Sequence, residues 1–164
     1  STGYTEPDPR EDLGGMDVAR KALILARMID WELELSDVQV EKLYPESLDN
    51  VSLEEFLEQL TSLDSKYFYK NRIARNQGKV LRYGVEVADG KCRVGLTEVP
   101  EESPLGRLKG VNQLVEIYSR WYDPDPLVIQ GRGAGVEATA SAVLSDIVQV
   151  AQSQPDQPSR SRVD

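Results

Sequence analysis

Five carboxylates crowd into twelve residues near the start of the sequence: Glu6, Asp8, Glu11, Asp12 and Asp17, with Arg10, Arg20 and Lys21 among them. A lysine held beside a carboxylate can give or take a proton at a carbonyl or hydroxyl oxygen, and several carboxylates together suit an ammonium group. The ligand this implies is a small amine or amino acid with a second polar group. The competing reading is a solvated acidic loop, the usual fate of a charge run. Helical geometry argues against it for two residues. At about 100° per residue, Asp17 and Lys21 lie about 40° apart and share a line with Ile24 and Met28, inside the apolar arc completed by Leu25, Val18, Ile29 and Ala22. The pair is therefore expected on the buried side of the helix, where an ion pair needs compensation. A structural pair and a functional one remain equally open on the wheel.

A second group of interest is Gly131-x-Gly133-x-Gly135, between Leu127-Val128-Ile129 and an apolar helix. Backbone amides at the positive end of a helix suit a phosphate or a cofactor. The spacing departs from the dinucleotide fingerprint, because Val136 stands where the third glycine belongs. A tight strand-to-helix connection is the plainer reading, and at most the turn completes a cofactor site made elsewhere. Cys92 shares one side of its strand with Val94 and Leu96 and reads as a small core residue. Tyr67, Phe68 and Tyr69 read as helix packing, and Ser103 and Ser119 have no visible base.

These groups must be held by a chain of 164 residues, 40% hydrophobic, which is enough for one domain with a core; the division expected is a domain over 1–152 and a disordered tail over 153–164. Lys plus Arg number 19 against 28 Asp plus Glu, a net charge of -9, which argues against a nucleic-acid partner. The sequence has no histidine, so Ser-His-Asp and Cys-His catalysis and imidazole-based zinc sites are excluded, and no metal is expected. A single cysteine allows no internal disulfide and fits a reducing compartment, the cytoplasm. No run of about eighteen apolar residues is present to cross a membrane, and Ser1 to Tyr4 have no signal-peptide character.

Residues 1 to 14 read as a loop, and a helix is predicted from Gly15 to about Trp31, with Asp12 as its upstream cap. Alternation over 33 to 44 predicts a strand, and a capping box from Ser52 to Glu55 opens one or two helices that end before Gly78. Asp89-Gly90, flanked by alternating apolar residues, predicts a hairpin over 79 to 98. A strand over 111 to 121, a turn at 122 to 126, a short buried strand at 127 to 129 and a helix to about Gln152 follow. This order predicts an α+β fold with a mainly antiparallel sheet and helices packed on one face.

The segment Gly3-Tyr4-Thr5-Glu6-Pro7-Asp8-Pro9-Arg10-Glu11-Asp12-Leu13-Gly14-Gly15-Met16-Asp17-Val18-Ala19-Arg20-Lys21 resembles the signature of homoserine dehydrogenases. Pro104-Leu105, Gly110-Val111-Asn112, Tyr118-Ser119, Pro126 to Gly131, Gly133-Ala134-Gly135 and Thr139-Ala140 follow in the order that family shows. The resemblance implies an enzyme of the aspartate pathway, leading to threonine, methionine and isoleucine, that interconverts aspartate 4-semialdehyde and homoserine with NADP or NAD. Carried onto this chain, Lys21 would be the proton donor in reduction and Asp17 would orient it. Thr5, Glu6, Asp12, Asp17 and Lys21 would bind the substrate, and Gly133, Ala134 and Gly135 would approach the cofactor.

The family places a nucleotide-binding domain before this segment, and none of it is in the sequence, so the chain is expected to be inactive alone. Gly14 stands where Ser or Asn is common. The resemblance also implies a homodimer formed through the sheet, and a last helix whose apolar face is partly uncovered. A plastid location follows if the source is a plant. The rival from another class is a non-catalytic dimerisation or amino-acid-binding module derived from the same fold.

Overall fold

Alternating apolar residues on either side of Asp89-Gly90 produce the predicted hairpin, and both turn residues adopt positive φ, 52° and 73°, as a two-residue turn of this kind requires. The structure, a computed structural model, describes residues 7–133 and 135–153. Thr5, Glu6 and Ala134 lie outside the described residues, as does all of the expected tail beyond Ser153. In chain order the elements are α1 (Pro9–Leu13), α2 (Met16–Met28), β1 (Gln39–Val40), α3 (Leu53–Leu60), α4 (Asp64–Asn76), β2 (Lys79–Ala88), β3 (Lys91–Pro100), β4 (Asn112–Ser119), β5 (Tyr122–Arg132) and α5 (Val136–Ser153). They divide into two units, Ser1–Leu108 and Lys109–Asp164.

In the first unit the sheet order is β1-β3-β2, with β2 and β3 antiparallel and the short β1 parallel to β3. Cys92 and Val94 pair with Val87 and Val85, which puts all four on one face. Ala19, Ala22 and Leu23 of α2 pack on that face, with Val38 beside them. Cys92 is the small core residue its strand position predicts, and burial pushes its thiol pKa up. A second cluster joins Tyr44, Leu48 and Phe56, whose rings Tyr44 and Phe56 meet edge to face at 5.0 Å.

Several predicted boundaries shift, each for a local reason. Helix α2 stops at Met28, because Asp30 takes φ 61° and Trp31 N–H returns to the Ala26 carbonyl. The strand predicted over 33 to 44 shrinks to Gln39–Val40: Asp37 accepts a 2.8 Å hydrogen bond from the Glu34 N–H and tightens a 3-10 turn over Leu35–Asp37. Ser52 caps α3 by accepting from Glu55 N–H, while the Glu55 carboxylate turns instead to Gln59. Phe68 and Tyr69 are exposed rather than packed; of the three aromatics only Tyr67 turns inward, donating its hydroxyl to the Leu43 carbonyl.

In the second unit β4 and β5 form a two-stranded antiparallel hairpin. The turn falls at Arg120 and Trp121, and the predicted turn at 122 to 126 is strand instead. Both strands are sheet edges, where prolines are tolerated. Val115, Ile117, Leu127 and Ile129 pair across the hairpin and so share one face, which is exposed, so the 127–129 strand is not buried. Helix α5 has no buried residue among those described. No helix among the described residues is long and apolar enough to cross a membrane.

Phe56 is fully enclosed, so Phe56→Ala is expected to destabilise the first unit by about 3–5 kcal/mol. A urea titration followed by circular dichroism measures this as a lowered midpoint with the slope preserved.

Candidate functional site

Asp8-Pro9 start a helix where the sequence predicts a loop. Asp8 caps α1 by accepting from Arg10 N–H at 2.9 Å, and Pro9 stands in its first turn. The same carboxylate holds the Arg10 guanidinium at 2.7 to 3.0 Å. Arg10 also donates to the carbonyls of Asp49 and Val51, at 3.2 and 2.8 Å, and lies over the Phe56 ring. Arg10 is thereby the anchor of the acidic segment, a role the spacing did not reveal; the Asp-Pro pair before it was the available signal. Its guanidinium holds the Asp8 carboxyl below the usual carboxylate range, and Lys42, 2.6 Å from Asp49, does the same there.

An elbow of two glycines joins α1 to α2. A Cβ on Gly14 would lie 2.6 Å from the Arg10 carbonyl oxygen, so the Ser or Asn common at this position in the family would need that carbonyl to shift. Gly15 has φ 75°, and a Cβ there would collide with the Tyr83 hydroxyl. That hydroxyl donates to the Glu41 carbonyl at 2.8 Å, while Leu43 N–H donates to the Leu13 carbonyl at 2.9 Å. Asp12 lies within α1 and so does not cap α2, whose N-terminal flank is Gly15.

Asp17 and Lys21 form an ion pair at 2.8 Å one turn apart, as their spacing requires. The expectation that this pair is buried is wrong. Lys21 is 51% and Asp17 67% exposed, and Ile24 and Met28 on the same line are 59% and 75% exposed. The buried arc is the opposite one, Ala19, Ala22, Leu23 and Ala26. Helix α2 is apolar on two sides, and the small residues allow the close approach to the hairpin, so the larger apolar residues face outward. An exposed pair of this type contributes about 0.3–0.5 kcal/mol to stability, which leaves it little structural purpose.

In the second unit, β5 ends at Arg132 and the Gly133 N–H donates to the Val111 carbonyl at 3.0 Å. A Cβ on Gly133 would collide with the Gln113 side chain, and Gly135 has φ 116° with open space around it. The Gly135 carbonyl accepts from Thr139 N–H and opens α5. Among the described residues no cluster of acidic residues, cysteine or histidine could hold a metal.

Residues 1–148 match the family model described as homoserine dehydrogenase. The chain belongs to the homoserine dehydrogenase family. It is 44% identical over 151 residues to the bifunctional aspartokinase/homoserine dehydrogenase of Haemophilus influenzae, with 92% of this chain and 18% of that protein covered. It is 41% identical over 154 residues to the homoserine dehydrogenase of Saccharomyces cerevisiae, covering 92% of this chain and 43% of that one. Among solved structures, a Candida auris protein of unknown function superimposes with a TM-score of 0.85 at 40% identity, over 93% of this chain and 44% of that one. The chain thus spans less than half the length of these relatives. Homoserine dehydrogenases use NAD(P), and Asp12, Asp17 and Lys21 fall within the matched residues 1–148.

Asp8 and Asp49 ionise more readily than ordinary carboxylates, so their contribution is complete above their usual value of 3.8 and is lost as pH falls through their lower folded values. Asp8→Asn combined with Asp49→Asn is therefore expected to be less stable than the parent at neutral pH. The two should converge as pH falls through the lowered folded values of these carboxyls, in acid titrations followed by circular dichroism.

Proposed function

We propose that this chain is the substrate-binding and proton-transferring region of an NAD(P)-dependent homoserine dehydrogenase that interconverts L-aspartate 4-semialdehyde and L-homoserine. The observation that carries this reading is the Asp17–Lys21 pair, joined at 2.8 Å and open to solvent on a helix within the matched region. As negative charge builds on the aldehyde oxygen, the Lys21 ammonium supplies a proton; in the reverse direction its amine accepts the hydroxyl proton. Asp17 orients that ammonium. Glu6 and Asp12 supply carboxylates for the substrate's ammonium and hydroxyl ends, and Thr5 completes the substrate-binding set that the resemblance implies.

The nicotinamide cofactor, when bound, supplies the hydride that reaches the carbonyl carbon. The described glycines fit a contact along one edge of that group: Gly133 and Gly135 carry no Cβ, and Gly135 precedes the N-terminal amides of an 18-residue helix. Ala134 between them would share the contact. They form no enclosure by themselves, which supports a cofactor held mainly by another part of the parent protein. NADP is the proposed cofactor, with NAD the alternative. The exposed face of Val115, Ile117, Leu127 and Ile129 supports a homodimer paired through the second sheet. The proposed compartment is the cytoplasm, or the plastid if the source is a plant.

In the complete protein, Lys21→Ala is expected to lower kcat by about 10²–10⁴-fold with an unchanged unfolding midpoint, because the pair is exposed. Turnover close to the parent's would remove the proton-donor role. The 164-residue chain alone is expected to show neither aldehyde reduction nor binding of homoserine in calorimetric titration. Binding by the isolated chain would instead favour an amino-acid-binding module. Ile117→Asp with Ile129→Asp should turn the complete protein monomeric in light scattering, and an unchanged mass would exclude pairing through this face.

A further inference from the structure

The backbone between Asp12 and Asp17 is Leu13-Gly14-Gly15-Met16, and two adjacent glycines make an intrinsically loose joint. The structure closes it from outside. The Val40 side chain and the Tyr83 ring would each lie 3.1 Å from a Cβ on Gly15, the Tyr83 hydroxyl occupies the place of that missing atom, and the Tyr44 hydroxyl stands 3.5 Å from a Cβ on Gly14. The Tyr83 hydroxyl is itself fixed, since it donates to the Glu41 carbonyl at 2.8 Å, and Glu41 N–H donates to the Val94 carbonyl of β3 at 2.8 Å.

We propose that Tyr83 is a positioning residue for the Lys21 helix: its hydroxyl, anchored on Glu41 and seated against Gly15, sets the angle between α1, which carries Asp12, and α2, which carries Asp17 and Lys21. This rests on the reading of Lys21 as proton donor. Lys21 lies six residues beyond Gly15, about 9 Å along the helix axis, so a tilt of about 10° at the elbow carries it about 1.5 Å. Displacements of that size cost on the order of 10²-fold in rate. Phenylalanine at position 83 would keep the ring and its packing but leave the Glu41 carbonyl without its donor and a gap over Gly15.

The test uses the complete enzyme. Tyr83→Phe is expected to lower kcat for aspartate 4-semialdehyde reduction about tenfold, with the KM for the nicotinamide cofactor unchanged. Gly15→Ala should lower kcat further, and adding Tyr83→Phe to it should recover part of that loss, because the alanine methyl then takes the place of the hydroxyl. Val80→Ala, a buried residue of the same strand, is the comparison for lost stability alone and should leave kcat at the parent's value. A parental kcat in Tyr83→Phe, or an equal fall in Val80→Ala, overturns the positioning role. If Lys21→Ala keeps its turnover, the donor assignment falls and the proposal falls with it; if Lys21→Ala is inactive while Tyr83→Phe matches the parent, only the proposal falls.

Discussion

Helix α2 can lie on the hairpin only because Gly15, Ala19 and Ala22 put almost nothing between the two backbones. Ala19, Ala22 and Ala26 are fully buried, and Gly15 meets a tyrosine hydroxyl where any other residue would carry a Cβ. Most of the first unit follows from this close contact. It seals Cys92 and Val94 beneath the helix, it directs the larger apolar residues Ile24 and Met28 outward, and it leaves Asp17 and Lys21 on the open side.

The same contact explains why the sequence was legible in some places and not in others. The hairpin was readable because Asp89-Gly90 leaves few alternatives to a tight turn, and the periods on either side agree with it. The long helices were readable from their apolar repeats. The orientation of α2 was not, because a hydrophobic wheel weights large residues, whereas the buried side of this helix is chosen by small ones. Short elements escaped for a related reason: in α1 and in the turn at Leu35–Asp37, single side-chain bonds from Asp8 and Asp37 decide the backbone, and alternation carries no record of them. For the site, the pairing of Asp17 with Lys21 was legible from spacing, while the parts played by Arg10 and Tyr83 depend on partners 39 to 42 residues away.

Charge is arranged unevenly over this -9 chain. Arg10 is committed to Asp8, two carbonyls and an aromatic ring, and Lys42 to Asp49, so both cations serve to fasten the acidic segment and its neighbouring loop. Lys21 pairs with the Asp17 carboxylate and stands open to solvent. Arg10 and Lys42 hold backbone and loop in place, whereas Lys21 keeps an exposed ammonium.

The burial of Cys92 has a practical side. It is the chain's single thiol, enclosed by Ala19, Ala22 and Val94, and burial raises its pKa. An alkylating reagent can reach the sulfur only when α2 lifts from the hairpin, so where reclosing outpaces labelling the rate would report the fraction of molecules in which the helix is lifted. The protein carries its own gauge of how firmly the helix that bears Asp17 and Lys21 is held in its seat.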